Sequence, residues 1–155
     1  MGDILAFPTI RNVLWSGKNI HKFTATTAVK AGQVVAFAAT GVSGAVIPAV
    51  KGTSGQPIGV ALYGADAGKM VSVACNGCIC KVANSSATTA IDAGDLVYDD
   101  DAAPAGTVCA VPVLGGGVAV GVVQYLVGEA IDIIAGDNVG RILVKCGTTT
   151  APMTA

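Results

Sequence analysis

Two stretches of the chain carry one order of polar and apolar positions. Thr26-Thr27-Ala28-Val29-Lys30-Ala31-Gly32-Gln33-Val34-Val35 is matched, position for position, by Thr88-Thr89-Ala90-Ile91-Asp92-Ala93-Gly94-Asp95-Leu96-Val97. Self-similarity of this kind bears on architecture before any single residue does. Downstream, Pro57-Ile58-Gly59-Val60-Ala61-Leu62-Tyr63 aligns more loosely with Ala119-Val120-Gly121-Val122-Val123-Gln124-Tyr125. Ala67-Gly68-Lys69-Met70-Val71 then aligns with Ala135-Gly136-Asp137-Asn138-Val139. An Ala-Gly pair, a polar residue and β-branched residues read together as a turn feeding a strand. Glycine supplies the positive φ of a type II turn, and valines suit a half-buried pleated surface. Four such turns, at 31–32, 67–68, 93–94 and 135–136, predict a meander or barrel and not helices.

The predicted fold is therefore all-β, a small β-barrel module duplicated in tandem behind an extended N-terminal arm. The first copy, 26–83, has apolar runs at Gln33–Ala39, Ala45–Val50, Ile58–Tyr63, Met70–Cys75 and Cys78–Ala83. Asn76-Gly77 between the last two is a hairpin signal. A small polar joint follows at 84–87. The second copy, 88–147, has runs at Asp95–Tyr98, Thr107–Val113, Val118–Val127, Ala130–Ile134 and Gly140–Lys145. Residues 148–155 form a Thr/Ala/Pro tail with nothing to bury. Residues 1–25 have no counterpart. They hold the single tryptophan, Trp15, and two of the three phenylalanines. Such aromatics favour a buried contact, either with a partner or, as an edge strand, with the chain's own module.

Composition sharpens this picture. Of 155 residues 52% are hydrophobic, 21 are glycine and only 12% are charged, so the core is built from small side chains. Little polar surface remains, which suggests burial against partners. Residues 31–50 and 102–128 carry no charge and are long enough to span a bilayer as helices. Both are broken by Gly and Pro, and the second lies between Asp99-Asp100-Asp101 and Glu129 with no Lys or Arg beside it to orient insertion, so no membrane is expected. Met1-Gly2-Asp3 is acidic where a signal peptide needs a basic start, and the cytoplasm is the expected place of synthesis. The net charge of −1 hides a split. Residues 1–81 hold seven basic and two acidic side chains, +5, whereas residues 82–155 hold two basic and eight acidic, −6. Basic-to-acidic association of neighbours is one reading of that split, and drift between copies is the other.

Recognisable chemistry is sparse. Gly64-Ala65-Asp66-Ala67-Gly68-Lys69-Met70 is one residue short of a P-loop and has Met70 where a hydroxyl must hold magnesium. The glycines at 115–117 lead into a valine-rich run instead of a helix N-terminus. Cys75-Asn76-Gly77-Cys78-Ile79-Cys80 offers half a zinc ribbon, with Cys109 or Cys146 as further ligands. However, there is no second Cys-x-x-Cys, and His21 is the only histidine. Buried cysteines acting as small hydrophobes are the plainer reading. Asp99-Asp100-Asp101 lacks the spaced ligands of a calcium loop. Gly41-Val42-Ser43-Gly44 runs into Ala45, so there is no nucleophile elbow. Basic residues are scattered singly, which argues against nucleic acid. No enzyme, cofactor or metal is expected.

Laid out in this way, the chain resembles bacteriophage capsid cement (head decoration) proteins. The likeness rests on Val29 to Val35, Ile58 to Ala61 and Ala67 to Gly77: a valine–Ala-Gly–polar–valine strand start, a Gly-Val-Ala strand, and a second Ala-Gly turn into a Val-x-Val strand. It covers most of 26–83 and, more weakly, 88–147. The chain departs from the family in writing its pattern twice. The resemblance implies a barrel or tulip-like fold that binds the outside of an icosahedral shell, bridges neighbouring capsomers and contacts the major capsid protein. It also implies a homotrimer at three-fold positions, with a dimer as the alternative that the duplication allows. By the same resemblance the arm adds a strand to the capsid protein, with Phe7, Pro8, Ile10, Leu14 and Trp15 as contact residues. Two competing functions are an exported or cell-envelope β-repeat binding module and an enzyme subunit with a carrier fold. The first wants an export signal. The second wants a lysine in a tight Met-Lys-type hairpin.

Overall fold

The structure is a computed structural model that describes residues 7–38, 44–49, 56–84, 90–99, 105–110, 125–136 and 138–146. Those residues form eleven strands and no helix. The loop at 41–43, residues 85–87 of the joint, aspartates 100 and 101, the glycines at 115–117 and the tail at 148–155 lie outside them.

In chain order the strands are β1 Leu14–Ser16, β2 Ile20–Ala25, β3 Val34–Phe37, β4 Ala45–Pro48, β5 Pro57–Ala61 and β6 Met70–Ala74. Then come β7 Ile79–Ala83, β8 Leu96–Asp99, β9 Val108–Ala110, β10 Leu126–Ala130 and β11 Val139–Val144. Strands β2-β4-β3-β5-β6 close into a barrel, and the others form a sheet in the order β1-β7-β11-β10-β8-β9. Ile20–Ala25, read in the sequence as the end of the arm, is thus a barrel strand. Ile79–Ala83, read as the last run of the first copy, belongs to the other sheet.

The second sheet repeats the pairing scheme of the barrel. Val35 faces Gly59 across β3–β5, beside a register shift, and Val97 faces Gly128 across β8–β10 beside another. The parallel contact of Ala25 with Val46, which joins β2 to β4, recurs as a parallel bridge between Asn84 and Val108. That bridge links β7 to β9, so the second sheet also curls towards closure. The bridge Val29–Ala65 recurs as Ile91–Ile134. The turns recur too: Gln33 N–H donates to Lys30 O at 3.1 Å and Asp95 N–H to Asp92 O at 3.1 Å. In each turn the polar side chain at the last position accepts from the turn's first amide, Gln33 Oε1 from Lys30 N–H and Asp95 Oδ2 from Asp92 N–H.

Two expectations need correction. In the pairing scheme β10, Leu126–Ala130, stands where β5 does, and residues 119–124 of the run matched to β5 in the sequence lie outside the described residues. The turn at Ala135-Gly136 also slips by one. Gly68 is the second central residue of its turn with φ +84, but the Asn138 N–H to Ala135 O bond makes Gly136 the first central residue of its own. The run expected at Ala130–Ile134 accordingly ends β10 and bends away. The second correction concerns Asn76-Gly77. Cys78 N–H donates to Cys75 O and Gly77 has φ +94, so a turn is present. Its flanking strands do not pair, because β6 joins β2 and β5 whereas β7 joins β1 and β11. Asn76 is not among the residues with positive φ, so the turn lacks the type I′ twist that a two-residue hairpin needs. It carries the chain from one sheet to the other.

The interior of the first barrel is Ala25, Val29, Val35, Val46, Ala61, Val71 and Val73. The outward side chains of β3, β5 and β6, namely Val34, Ala36, Val60 and Ala74, join a larger cluster with Val82, Val97, Val127, Ile142 and Val144 of the second sheet. Backbone bonds reinforce the seam. Val34 N–H donates to Gly106 O, Gly106 N–H to Ala49 O and Gly77 N–H to Val144 O. This seam between the sheets is therefore apolar and hydrogen-bonded, which makes it part of the core.

Candidate functional site

The stretch read as an arm runs over both sheets as a strap. Phe7, Ile10 and Val13 are buried in the larger cluster. Ile10 sits where a Cβ on Gly32 would lie, so the first barrel's turn is shaped to receive it. Further on, Val13 O accepts from Lys81 N–H, Arg11 O accepts from Lys81 Nζ, and Leu14 pairs with Cys80. The described part of the arm thus packs on its own molecule, with β1 as an edge strand. Phe7 and Ile10 are taken up by that packing. Pro8 and Leu14 are half-buried.

Trp15 is different. Leu14 faces Cys80 and Ser16 faces Ile79, so β1 has one residue more than β7 over this interval. That residue is Trp15, and an extra residue of this kind re-aims its side chain out of the ladder. The indole is 61% exposed. The Arg141 guanidinium carbon lies 4.5 Å from the ring centroid, a cation–π contact that favours this orientation. Arg141 is held in turn by Asp132 through a two-point fork: Nε donates to Oδ2 at 2.9 Å and an Nη to Oδ1 at 2.7 Å. The Arg141 backbone N–H also donates to Asp132 Oδ2. Trp15, Arg141 and Asp132 are therefore one ordered group on the outside of the second sheet. Ile131 and Ile133, which flank Asp132, are exposed, Ile133 at 71%, and so is Val139. An ordered aromatic with apolar neighbours is what a protein-binding surface provides.

The corresponding place in the first barrel is filled by Tyr63 Oη and Ser72 Oγ, 2.8 Å apart, and among the described residues no aromatic ring stacks on them. The ion pair belongs to the second sheet. Sequence reasoning missed Arg141 and Asp132 because only the fold places residues of β11 and the β10–β11 loop beneath β1.

The pH response of this group follows from the fork. The hydrogen bonds from Arg141 hold the Asp132 carboxyl below its ordinary 3.8, against a smaller opposing effect of burial. A carboxylate lowered by folding contributes its interaction above the unfolded value and loses it as pH falls through the folded one. Fluorescence of Trp15, the chain's single tryptophan, is expected to stay flat from neutral pH down to about 3.8 and to change only below it. Asp132→Asn should abolish that acid step. A step that persists unchanged in the variant would show that another group controls the ring.

The cysteines do not converge on this surface. All five are free. Cys78, Cys80, Cys109 and Cys146 are buried and Cys75 is half-buried. Burial, with smaller contributions from neighbouring thiols, pushes Cys80 up to about 12, and burial first of all does the same for Cys146. Such thiols are poor nucleophiles at neutral pH. Among the described residues no three His, Cys, Asp or Glu side chains come together as a metal site. His21 is exposed and bonded through Nε2 to Asn19 Oδ1.

The sequence model of the phage cement protein family matches residues 15–146. No curated protein is significantly similar to the chain. Among solved structures, the head fiber gp8.5 N base of bacteriophage phi29 is similar in fold, with a TM-score of 0.55 and 16% identity, covering 81% of this chain and 92% of that one.

Proposed function

The chain belongs to the phage cement protein family, and from that membership we propose that it binds the outside of an icosahedral capsid and braces neighbouring capsomers through the Trp15 face of its second sheet. As a member it is a structural component of the phage head, associated with the capsid. The major capsid protein is the proposed partner, engaged by a homotrimer at three-fold positions or by a dimer. The two sheets, with their recurring pairings, are read as tandem copies of one barrel, so a single chain offers two related modules. Binding an assembled lattice but not its dissociated subunits stabilises the shell by mass action, and many copies compound a modest affinity at each site.

The observation that carries this reading is the exposure of an indole whose orientation is already set. A tryptophan held in place loses little side-chain entropy on docking, and such residues dominate interface energetics. Trp15→Ala is expected to weaken co-sedimentation with assembled shells by about 30- to 1,000-fold. Thermal stability should change little, because most of the ring faces solvent. Unaltered binding by the variant would remove this face from the interface.

A further inference from the structure

The second sheet has an edge that the chain fills for itself, and among the described residues nothing fills the same edge of the first barrel. In β7 the Lys81 N–H points away from β11 and donates to Val13 O of the strap, with Leu14 paired to Cys80. In β2 the equivalent residue is Lys22, since Lys22 pairs with Ser72 as Lys81 pairs with Arg141. Backbone groups alternate along a strand. Ala25 N–H donates to Lys69 O on the β6 side and Thr26 N–H to Val46 O on the β4 side. The Lys22 amide therefore points away from β6. β4 pairs with β2 only at Thr24 and Ala25, and among the described residues no strand lies beside Ile20–Phe23 on that side.

Side chains tell the same story independently. Cys80 and Val82 are fully buried, in one cluster with Val13 and Leu14 of the strap. Their counterparts on β2 are His21, which is exposed, and Phe23, which is half-buried. Phe23 meets the exposed Phe37 edge-to-face, with ring centroids 5.4 Å apart. Met70, also exposed, lies within reach of the Thr24 hydroxyl. Among the described residues the first barrel thus presents an uncovered stretch of strand edge at Ile20–Phe23 beside an aromatic mouth, where the second sheet has a strand and a packed apolar lid.

We propose that β2 is a strand acceptor, and that an extended segment of the shell protein adds to it, with a carbonyl that accepts from the Lys22 amide and an apolar side chain laid on Phe23 and Phe37. Lys18, His21 and Lys22 border the edge, so the segment is uncharged or acidic there. The mode is β-augmentation, in which main-chain bonds supply affinity and side-chain pockets supply selection. The strap on β7 is its internal precedent. The proposal rests on capsid binding and concerns a surface separate from Trp15.

Hydrogen exchange of the full chain, free and bound to undecorated assembled shells, tests it. The Lys22 amide is expected to exchange freely in the unbound chain and to slow by about tenfold or more on shells. Lys22→Pro removes the donor while remaining compatible with an edge position, and should weaken shell binding by about tenfold. Lys22→Ala keeps the N–H and loses only an exposed charge, so it should weaken binding by less than Lys22→Pro does. If Lys22→Pro proves unfolded, the exchange measurement on the parent still decides. Shell binding with an unprotected Lys22 amide, or by Lys22→Pro at parental strength, overturns the acceptor edge and leaves capsid binding standing. Failure of the parent chain to bind shells overturns both.

Discussion

Ile134→Ala is expected to destabilise the chain by about 3 kcal/mol, and adding Gly140→Val to the same chain is expected to restore most of that loss. The reason is a size exchange between the two sheets. Ala65 and Val71 occupy matched positions in the first barrel, and Ile134 and Gly140 occupy them in the second. A Cβ on Gly140 would collide with Ile134 Cγ1 and lie 3.0 Å from its Cδ1. Both pairs carry the same number of side-chain carbons, distributed in opposite ways. Ile134 is 1% exposed, so truncating it alone leaves a cavity that the close-packed surroundings fill only in part. Gly140→Val alone should overpack the same spot at a cost of about 1–3 kcal/mol. Together the two substitutions recreate the arrangement of the first barrel, and the double variant should lie within about 1.5 kcal/mol of the parent. Denaturant unfolding of the four proteins measures the coupling directly. If the two losses simply add, the two interiors are not equivalent and the matched-position account is wrong.

Gly59→Ala and Gly128→Ala should each cost about 3 kcal/mol or more, even though neither glycine has positive φ. Here the constraint is approach, not conformation. A Cβ on Gly59 would land on the Ala74 carbonyl oxygen, and one on Gly128 on the Leu143 carbonyl oxygen. Both glycines sit beside the register shift where β5 and β10 cross their neighbours, and the obstructing atoms are backbone, which cannot rotate aside. Gly68 and Gly94 are the internal controls. Each has φ near +90 with open space around a would-be Cβ, so alanine there meets only left-handed strain of about 1–2 kcal/mol. Thermal unfolding should therefore rank Gly59 and Gly128 well below Gly68 and Gly94. Equal losses at all four would mean that the close approach relaxes at little cost.

These glycines also show how far local pattern reaches. The turns at Ala31-Gly32 and Ala93-Gly94 are legible from sequence because a type II turn needs only glycine at one position, and the strands behind them form where expected. The match of Gly59 to Gly128 was available too. Each follows an apolar pair, and Ile20-x-Lys22 anticipates Ile79-x-Lys81 in the same way. Neither stood out, because apolar runs at 118–127 offer several registers of equal local merit, and a shift by one residue changes only what lies across the sheet.

The sequence by itself determined an all-β chain with a recurring turn-and-strand unit, since turn geometry and β preference act over a few neighbouring residues. Only the tertiary structure decided that Asn76-Gly77 joins two sheets instead of closing a hairpin, that Phe7 and Ile10 face inward, and that Trp15 stands on Arg141 and Asp132. Those outcomes depend on which distant strand supplies the partner carbonyl or the covering side chain. Contacts between residues far apart in the chain are chosen by packing the whole apolar surface at once, so no local window contains them.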